Sequence, residues 1–259
     1  MSEAIYTAGS GAMMQQMRLE VLANNLANVN SSGYKAEQPM FKAFLPGSGG
    51  AAASGAGEAD GGEEFGRSDT MEDNYHVEFA GTRIDFSRGQ LKKTGNSLDF
   101  ALIGNGFFSV QTPGGVEYTR SGAFTINGDG VLVTSDGQPV LGKGGEIQLS
   151  GSNIMVDEIG NISVDGVQVD QLAIVDFEDR ARLKKAGNTR FQAKEDMAPI
   201  TRPDGYRVKQ GLLELSNVNV IRSMTEMIDV LRTYEAQQKT IKAVVDMNIK
   251  AINDVGRPG

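Results

Sequence analysis

The strongest constraint on the fold is a repeat of apolar residues at alternating steps of three and four, found near each end of the chain. In the first repeat, seven of the eight positions are apolar, and the repeat continues for more than three heptads. Its positions are Ile5, Ala8, Ala12, Gln15, Leu19, Leu22, Leu26 and Val29. This spacing predicts a helix with one coiled-coil seam.

The surface around this seam carries few charges. Between residues 2 and 28 the charged side chains are Glu3, Arg18 and Glu20. A solvent-facing helix normally has a charged face, so we expect this helix to be buried among other subunits through amide hydrogen bonds and methionine packing. We expect it to end near residues 28–30, before Gly33, which permits a turn with positive φ.

A second seam occupies the C-terminal end, and nine of its eleven positions are apolar or aromatic. The positions are Val220, Met224, Met227, Leu231, Tyr234, Gln238, Ile241, Val245, Asn248, Ile252 and Val255. Either Asn217 or Asn219 is suited to cap its start, and Gly256 with Pro258 to end it.

The two helices are expected to run antiparallel, with Val29 opposite Val220, so that opposed residue numbers sum to about 249. The fold class predicted is α+β: N- and C-terminal helices form an antiparallel coiled-coil-like domain, and an antiparallel all-β domain is inserted between them. Two amphipathic helices packed on a globular core remain the alternative on pattern alone.

The middle of the chain changes to a two-residue period with closely spaced turns. We expect an extended segment at 36–45 and a mobile, acidic, glycine-rich loop at 46–66. Short strands are predicted at 86–91, 98–103, 107–111, 116–119, 123–126, 131–134, 161–169 and 171–177.

The domain organisation predicted from these patterns has three parts. Residues 1–35 and 212–259 form the terminal-helix domain, and residues 97–191 form the antiparallel β domain. Residues 36–96 and 192–211 form an extended region between them, which contains the acidic loop.

No catalytic, cofactor-binding or metal-binding site is predicted. The net charge of −8 disfavours nucleic acid and anionic membrane surfaces as partners, and the chain has no cysteine. Residues 137–143 fall short of a phosphate loop, because Gly144 replaces the magnesium-binding Ser or Thr and Pro139 interrupts the motif. His76 is the only histidine, and the Asn127/Asp129 pair departs from calcium-loop spacing. We therefore expect no enzyme, no small-molecule substrate and no cofactor.

The chain also has no long apolar stretch and no basic segment followed by an apolar one near its start. We therefore expect neither membrane insertion nor a cleaved signal peptide.

Four stretches, in order, resemble motifs of the bacterial flagellar rod and hook family. They are Ala23 to Lys35, Asp99 to Ser109, Tyr118 to Phe124 with the turns that follow, and Ser216 to Asn219 with Tyr234, Glu235 and Ala236. Within the family, residues 139–142 and 251–257 resemble the proximal rod subunit more than the distal one.

This resemblance implies a structural rod subunit that assembles helically through its terminal helices and transmits motor torque to hook and filament. Its implied partners are itself, other rod subunits and the flagellar type III export apparatus, and its implied location is the periplasmic rod of the basal body. The expected assembly residues are Ile5, Ala8, Ala12, Leu19, Leu22, Asn24, Asn25, Leu26, Asn28, Val29, Val220, Met224, Met227, Leu231, Tyr234, Ile241, Val245 and Ile252.

Two alternatives stay open at this point. One is the distal rod subunit of the same family. The other is a secreted β-domain adhesin or glycan-acting enzyme with helical flanks, which would require a pocket of convergent polar groups in the β domain.

Overall fold

The computed structural model describes residues 2–44, 76–151, 153–187, 189–194, 196–201 and 205–255. At residues 2–8, 43–44, 76–78 and 251–255 it describes the backbone alone. The predicted acidic loop at 46–66 and the predicted C-terminal stop at Gly256 and Pro258 lie outside the described residues, as do the side chains of Ile5, Ala8, His76 and Ile252.

The chain is α+β, with one helix at each end and a β-rich region between them. The first helix, α1, spans Ser2–Ala27, and the second, α2, spans Val220–Val255. Both confirm the helices that the heptad spacing predicts. The backbone N–H of Arg222 donates to Asn219 Oδ1 at 3.0 Å, so Asn219 is the residue that caps α2.

The described residues between the helices contain nineteen strands. The first ten are β1 (Glu37–Phe44), β2 (His76–Ile84), β3 (Leu91–Lys93), β4 (Phe100–Ile103), β5 (Phe107–Thr112), β6 (Gly115–Thr119), β7 (Phe124–Ile126), β8 (Leu132–Thr134), β9 (Leu141–Gly142) and β10 (Gly145–Glu146). The others are β11 (Ile154–Val156), β12 (Asn161–Val164), β13 (Val167–Gln171), β14 (Ile174–Asp176), β15 (Lys184–Lys185), β16 (Arg190–Gln192), β17 (Ile200–Thr201), β18 (Arg207–Gln210) and β19 (Leu212–Glu214).

The largest sheet has six strands in the order β15-β16-β6-β5-β14-β17. Strand β5 is buried on both faces, since Phe107 belongs to one apolar cluster and its neighbour Phe108 to another. The larger cluster includes residues of this sheet and of the three-stranded sheet β11-β12-β13, while the smaller one includes Tyr118 and Phe191. Strand β4 pairs with β18, and β3 pairs with β19.

Two predicted strands differ from the structure. Residues 161–169 form two strands rather than one, because Asp165 (φ +51°) and Gly166 (φ +85°) make a hairpin turn between β12 and β13. Residues 86–90 form no strand, because this segment is bound by side chains instead: the N–H of Ser87 donates to Asp85 Oδ1, and that of Gly89 donates to the Glu214 carboxylate. The end of the stretch compared above with a phosphate loop belongs to a hairpin, in which β9 pairs with β10.

The described residues divide into two compact units. One contains the described parts of Met1–Val21, Pro39–Thr82 and Thr225–Gly259, and the other contains Leu22–Gln38 and Arg83–Met224. The last turns of α1 and the first turn of α2 thus belong to the same unit as β3 to β19.

Candidate assembly surface and its junction

The C-terminal end of α1 is closed by its own asparagines. Asn28 donates from Nδ2 to the carbonyl oxygen of Asn24 at 3.0 Å, and the Asn28 N–H reaches the same oxygen at 3.2 Å. The hydroxyl of Ser31 donates to Asn28 Oδ1 at 3.2 Å. The Asn28 side chain thus adds a donor to one carbonyl group of the last helical turn, and the Asn-rich motif coincides with the end of the helix.

Gly33 brings the chain directly onto the β region. It has φ of +70°, and its N–H donates to the carbonyl oxygen of Glu214 at 2.8 Å. A Cβ at this position would lie 2.2 Å from the backbone nitrogen of Ser121 and 2.4 Å from the carbonyl carbon of Arg120. Only glycine satisfies both the left-handed conformation and this contact.

The residues after Gly33 are held by two asparagine side chains. Asn25 Nδ2 donates to the Glu37 carbonyl at 2.8 Å, and the Glu37 N–H donates to Asn25 Oδ1 at 2.9 Å. The N–H of Ala36 donates to Asn217 Oδ1, and Asn217 Nδ2 donates to the Asp85 carbonyl, each at 2.8 Å. The segment between α1 and β1 is therefore fixed on both sides.

The side chain of Tyr34, which belongs to this segment, is buried. Its hydroxyl donates to Asn24 Oδ1 at 2.8 Å and lies 3.0 Å from Asn25 Oδ1. The ammonium group of Lys185 lies 3.9 Å from the centroid of the Tyr34 ring and 2.6 Å from the Glu37 carboxylate. Burial, and then the charge of Glu37, raise the pKa of the Tyr34 hydroxyl above its ordinary value, so it stays a neutral donor.

Glu214 is a buried carboxylate at which several segments meet. Its Oε1 accepts from Lys35 Nζ at 2.7 Å and from the Gly89 N–H at 3.0 Å, and its Oε2 lies 3.6 Å from Arg120 Nη1. The exposed fractions of the three charged side chains are 0% for Glu214, 1% for Lys35 and 7% for Arg120. This cluster of Lys35, Arg120 and Glu214 is called the buried triad below.

Both cations of the triad also bind carbonyl oxygens. Lys35 Nζ donates to the Ser87 carbonyl at 2.7 Å, while Arg120 donates to the carbonyls of Leu102 at 3.2 Å and Gly104 at 2.8 Å. Burial lowers the pKa of Lys35, and it lowers the pKa of Arg120 to about 10; the charge of Glu214 opposes both shifts. Arg120 is therefore a cation at neutral pH.

Helix α2 has two different sides in the part that belongs to the smaller unit. The inner stripe is the side with lower exposure, and it consists of Met227, Val230, Tyr234, Gln237, Ile241 and Val244. The outer stripe consists of two pairs of apolar residues that are exposed by 38 to 51%: Ile228 with Leu231, and Val245 with Ile249. The exposed side chains of Glu235, Gln238 and Lys242 lie between the two pairs.

Helix α1 approaches the inner stripe of α2 at Gly11. A Cβ on Gly11 would lie 2.9 Å from Nε2 of Gln237. Gln15, one turn further along α1, is 8% exposed, and its Oε1, like that of Gln237, is buried with no hydrogen-bond donor among the described residues. Polar groups therefore lie within a largely apolar helix contact.

The structure places the expected assembly residues in three environments. Asn25, Asn28 and Leu22 are buried within the subunit. Intermediate exposure is found at Ala12, Leu19, Leu26, Val29, Met227, Tyr234 and Ile241. Exposed side chains are Asn24, Val220, Met224, Leu231 and Val245. Asn25 and Asn28 thus bind their own chain, and only part of the expected set faces outward.

The contacts described above between the end of α1, residues 33–37 and the strands are called the junction below. The sequence predicts Gly33 as a turn and Asn217 as a possible cap, and it predicts no role for Tyr34, Lys35 or Arg120, although all three lie inside the motifs that suggest the family. For Lys35 and Arg120 the available signal was that each is the one charged residue of its motif, residues 23–35 and 118–124 respectively. Glu214 and Lys185 lay outside those motifs, and only the folded chain brings them to Lys35 and Tyr34.

A groove of about 670 Å³ lies beside β3, β11 and β19, and its lining includes Asn96, Asn153, Met155 and Gln210. Lys93 is the one ionisable side chain in that lining, so this groove holds no acid–base pair. Within the described ranges, no three His, Cys, Asp or Glu side chains gather as a metal site requires. Neither helix, over its described residues, combines the length and apolar content of a membrane span.

Three family models match the chain in the order of its elements. The model described as "Flagella basal body rod protein" matches residues 5–35. The "Flagellar hook protein FlgE/F/G D1 domain" matches residues 101–171, and the "Flagellar basal body rod FlgEFG protein C-terminal" matches residues 209–254. The matches fall on α1 with the segment after it, on the β region, and on α2 with the strands before it.

Similar proteins cover almost the whole chain. It is 30% identical, over 263 aligned residues and 99% of both chains, to the flagellar basal-body rod protein FlgF of Caulobacter vibrioides. It is 33% identical to the flagellar hook-basal body complex protein FlhO of Bacillus subtilis, over 99% of this chain and 100% of the relative. It is 34% identical to the flagellar basal-body rod protein FlgG of Agrobacterium fabrum, over 94% of this chain and 96% of the relative.

Proposed function

The chain belongs to the flagellar basal-body rod protein family, and on that premise we propose that it is a structural subunit of the bacterial flagellar rod which assembles through its terminal helices. The observation that carries this proposal is the outer stripe of α2. Ile228, Leu231, Val245 and Ile249 are apolar and exposed on a helix whose adjoining inner stripe is already covered within the subunit. A neighbouring subunit that covered the outer stripe would remove this apolar surface from water.

The pairing of the two helices as an antiparallel coiled coil is part of the proposal. Gly11 lies against Gln237, and these residue numbers sum to 248, close to the 249 expected from the heptad register. In a parallel pair aligned from Ile5 and Val220, Gly11 would instead lie beside Glu226. The contact at Gly11 therefore supports the antiparallel arrangement around an inserted antiparallel β domain.

The expected assembly residues form a proposal with two parts. The exposed ones, above all Met224, Leu231 and Val245, are proposed to contact neighbouring subunits. The buried ones, Leu22, Asn25 and Asn28, are proposed to act indirectly, because they hold the end of α1 in place.

The setting of the proposal is the basal body. We propose that the partners are further copies of this chain and other rod subunits, and that the chain reaches the rod through the flagellar export apparatus without signal cleavage. A structural rather than enzymatic role fits a groove lined mainly by amides and apolar groups. Placement in the proximal rather than the distal rod rests on residues 139–142 and 251–257, since relatives of the FlgF and FlgG types have similar identities.

The test is complementation of a strain that lacks the chain. The wild-type chain restores swimming and is present in purified basal bodies. Leu231→Asp restores neither, because it puts a charge on the outer stripe. Leu231→Met keeps the apolar volume and restores both. Basal bodies that lack the wild-type chain, or a deletion strain that swims normally, would refute the proposed function.

A further inference from the structure

Glu214 connects four parts of the chain that are far apart in sequence. It ends β19, its carbonyl accepts from Gly33, and its carboxylate binds Lys35, Gly89 and Arg120. The segment after α1, the segment before β3, the residue after β6 and the strand before α2 therefore meet at one side chain. All of them belong to the same compact unit.

The charges at this point are unequal, with two buried cations and one buried carboxylate. Without Lys35, the carboxylate still faces Arg120. Without the carboxylate, two cations would be left buried close together, and an uncompensated buried charge is strongly unfavourable. Docking of Lys35 beside Arg120 therefore requires that Glu214 be in place first or arrive with it.

We propose that Glu214 is a positioning residue that makes docking of residues 33–37 onto the β region conditional on β19 being paired. The exit of α1 and the entry of α2 then become fixed together. With β19 paired to β3, Glu214 neutralises the site for Lys35, and Asn217 follows three residues later to bind Ala36. With β19 unpaired, Arg120 repels Lys35 and the segment leaves the β region.

A nonspecific stabilising role makes a different prediction. An ordinary buried residue lowers the stability of the whole unit when it is replaced, whereas a conditional dock loosens residues 33–37 before the sheets open. Local opening is measured by amide hydrogen exchange, which distinguishes segments within one folded chain.

The experiment uses the full-length chain in dilute solution and follows the amides of Gly33, Ala36 and Glu37, which are hydrogen-bonded in the docked segment. The amides of Ser109 and Val140 report on the sheets and serve as internal reference. We expect Glu214→Gln to speed exchange of the first set by roughly 100-fold or more, while the reference amides change by less than about threefold.

Lys35→Met is the second variant, and it carries the test if Glu214→Gln does not fold. It leaves Glu214 paired with Arg120, so we expect exchange to speed up at the same three amides and not at the reference amides, but by a smaller factor of roughly tenfold. In the double variant the effect of Glu214→Gln shrinks, because only one buried cation remains, so the two substitutions are not additive. Glu158→Gln is the matched control, since Glu158 pairs with Lys209 at 2.5 Å on the surface, and it leaves both sets of amides unchanged.

An equal increase at both sets of amides, or additive effects of the two substitutions, would overturn this inference. These measurements are made on the free chain, so they do not depend on the proposed rod function. If exchange is uniform while the chain is still found in basal bodies, the inference fails and the rod function stands. If exchange is selective but the chain is absent from basal bodies, the proposed rod function fails and this inference stands.

Discussion

Asn25 and Glu37 are joined by two hydrogen bonds, although twelve residues separate them. The side-chain amide of Asn25 donates to the Glu37 carbonyl and accepts from the Glu37 N–H, at 2.8 and 2.9 Å. One side chain in α1 thus satisfies both backbone groups of the first residue of β1, as a neighbouring strand would. The direction in which the chain leaves α1 depends on this pair.

Asn25→Ala removes both bonds and leaves two backbone groups of Glu37 without partners. We expect the free energy of unfolding to fall by about 2–3 kcal/mol, measured by urea denaturation. Gln16→Ala, on an exposed position of the same helix, should change it by less than about 0.5 kcal/mol. Equal effects of the two substitutions would contradict this role of Asn25.

Gly33→Ala tests the contact between residue 33 and the backbone of Ser121. Gly95→Ala is its control, because Gly95 has a similar φ, +78°, but nothing within 4 Å of an added Cβ. Both variants impose a left-handed conformation on alanine, at a cost of about 1–2 kcal/mol. Only Gly33→Ala adds the steric clash, so its loss of unfolding free energy should exceed that of Gly95→Ala by several kcal/mol.

Leu231→Asp and Val230→Asp lie at neighbouring positions, and we expect the first to affect rod incorporation and the second to affect the stability of the free chain. Leu231 is 38% exposed on the outer stripe, whereas Val230 is 5% exposed on the inner stripe. We expect Leu231→Asp to leave the melting temperature of the free chain nearly unchanged while it abolishes rod incorporation. Val230→Asp should destabilise the free chain itself by about 3 kcal/mol, because it buries an unpaired charge. A free chain destabilised equally by both would remove the distinction between the stripes.

Engineered cysteines test the direction of helix pairing, since the chain has none of its own. Gly11→Cys with Gln237→Cys should form an intramolecular disulfide under mild oxidation, because these positions meet. A disulfide needs Cα atoms about 4.4–6.8 Å apart. Gly11→Cys with Glu226→Cys corresponds to the parallel register and is out of place by roughly 16 Å, so it should not close. Mass spectrometry of the oxidised chain distinguishes the two results.

Asp176 provides a pH-dependent contribution to stability. Burial raises the pKa of its carboxyl, but hydrogen bonds from the Arg180 side chain and the Phe177 N–H, together with the charges of Arg180 and Arg120, outweigh burial and lower the pKa below 3.8. The stabilisation is therefore present above about pH 4 and is lost as the pH falls through the folded-state pKa. Asp176→Asn should lower the unfolding free energy at pH 7 and flatten its dependence below pH 4, as acid titration of the melting temperature will show.

The helices were predictable because a heptad repeat is a local signal. The cap of α2 is local too, since Asn219 accepts from the N–H of Arg222, three residues later. Which stripe of α2 faces inward was not predictable from the repeat. Val220, Met224, Leu231 and Val245 were expected on the seam, yet each is exposed by more than a third in the free chain. Apolar residues lie on two adjoining stripes of α2, and the heptad spacing alone does not tell which stripe packs within the same chain.

The junction was less predictable than the helices, for a different reason. Lys35 and Glu214 are 179 residues apart, and no local pattern relates them. Asn217 was considered only as a helix cap, whereas its side chain binds Ala36 and Asp85. Short polar side chains are suited to several local roles, so the choice among them depends on contacts that form only in the folded chain.

The junction also has a mechanical consequence for the end of α1. Force applied to the helix near Asn25 enters the β region through the Asn25–Glu37 pair, the bond from Gly33 to Glu214, the Lys35–Glu214 ion pair and the Lys185–Glu37 contact. The three connections from Gly33, Lys35 and Glu37 onto the strands lie side by side within five consecutive residues, so they share a shear load instead of carrying it one after another. The last turns of α1 and the β region should therefore turn as one stiff body, without the slack that a flexible tether would introduce.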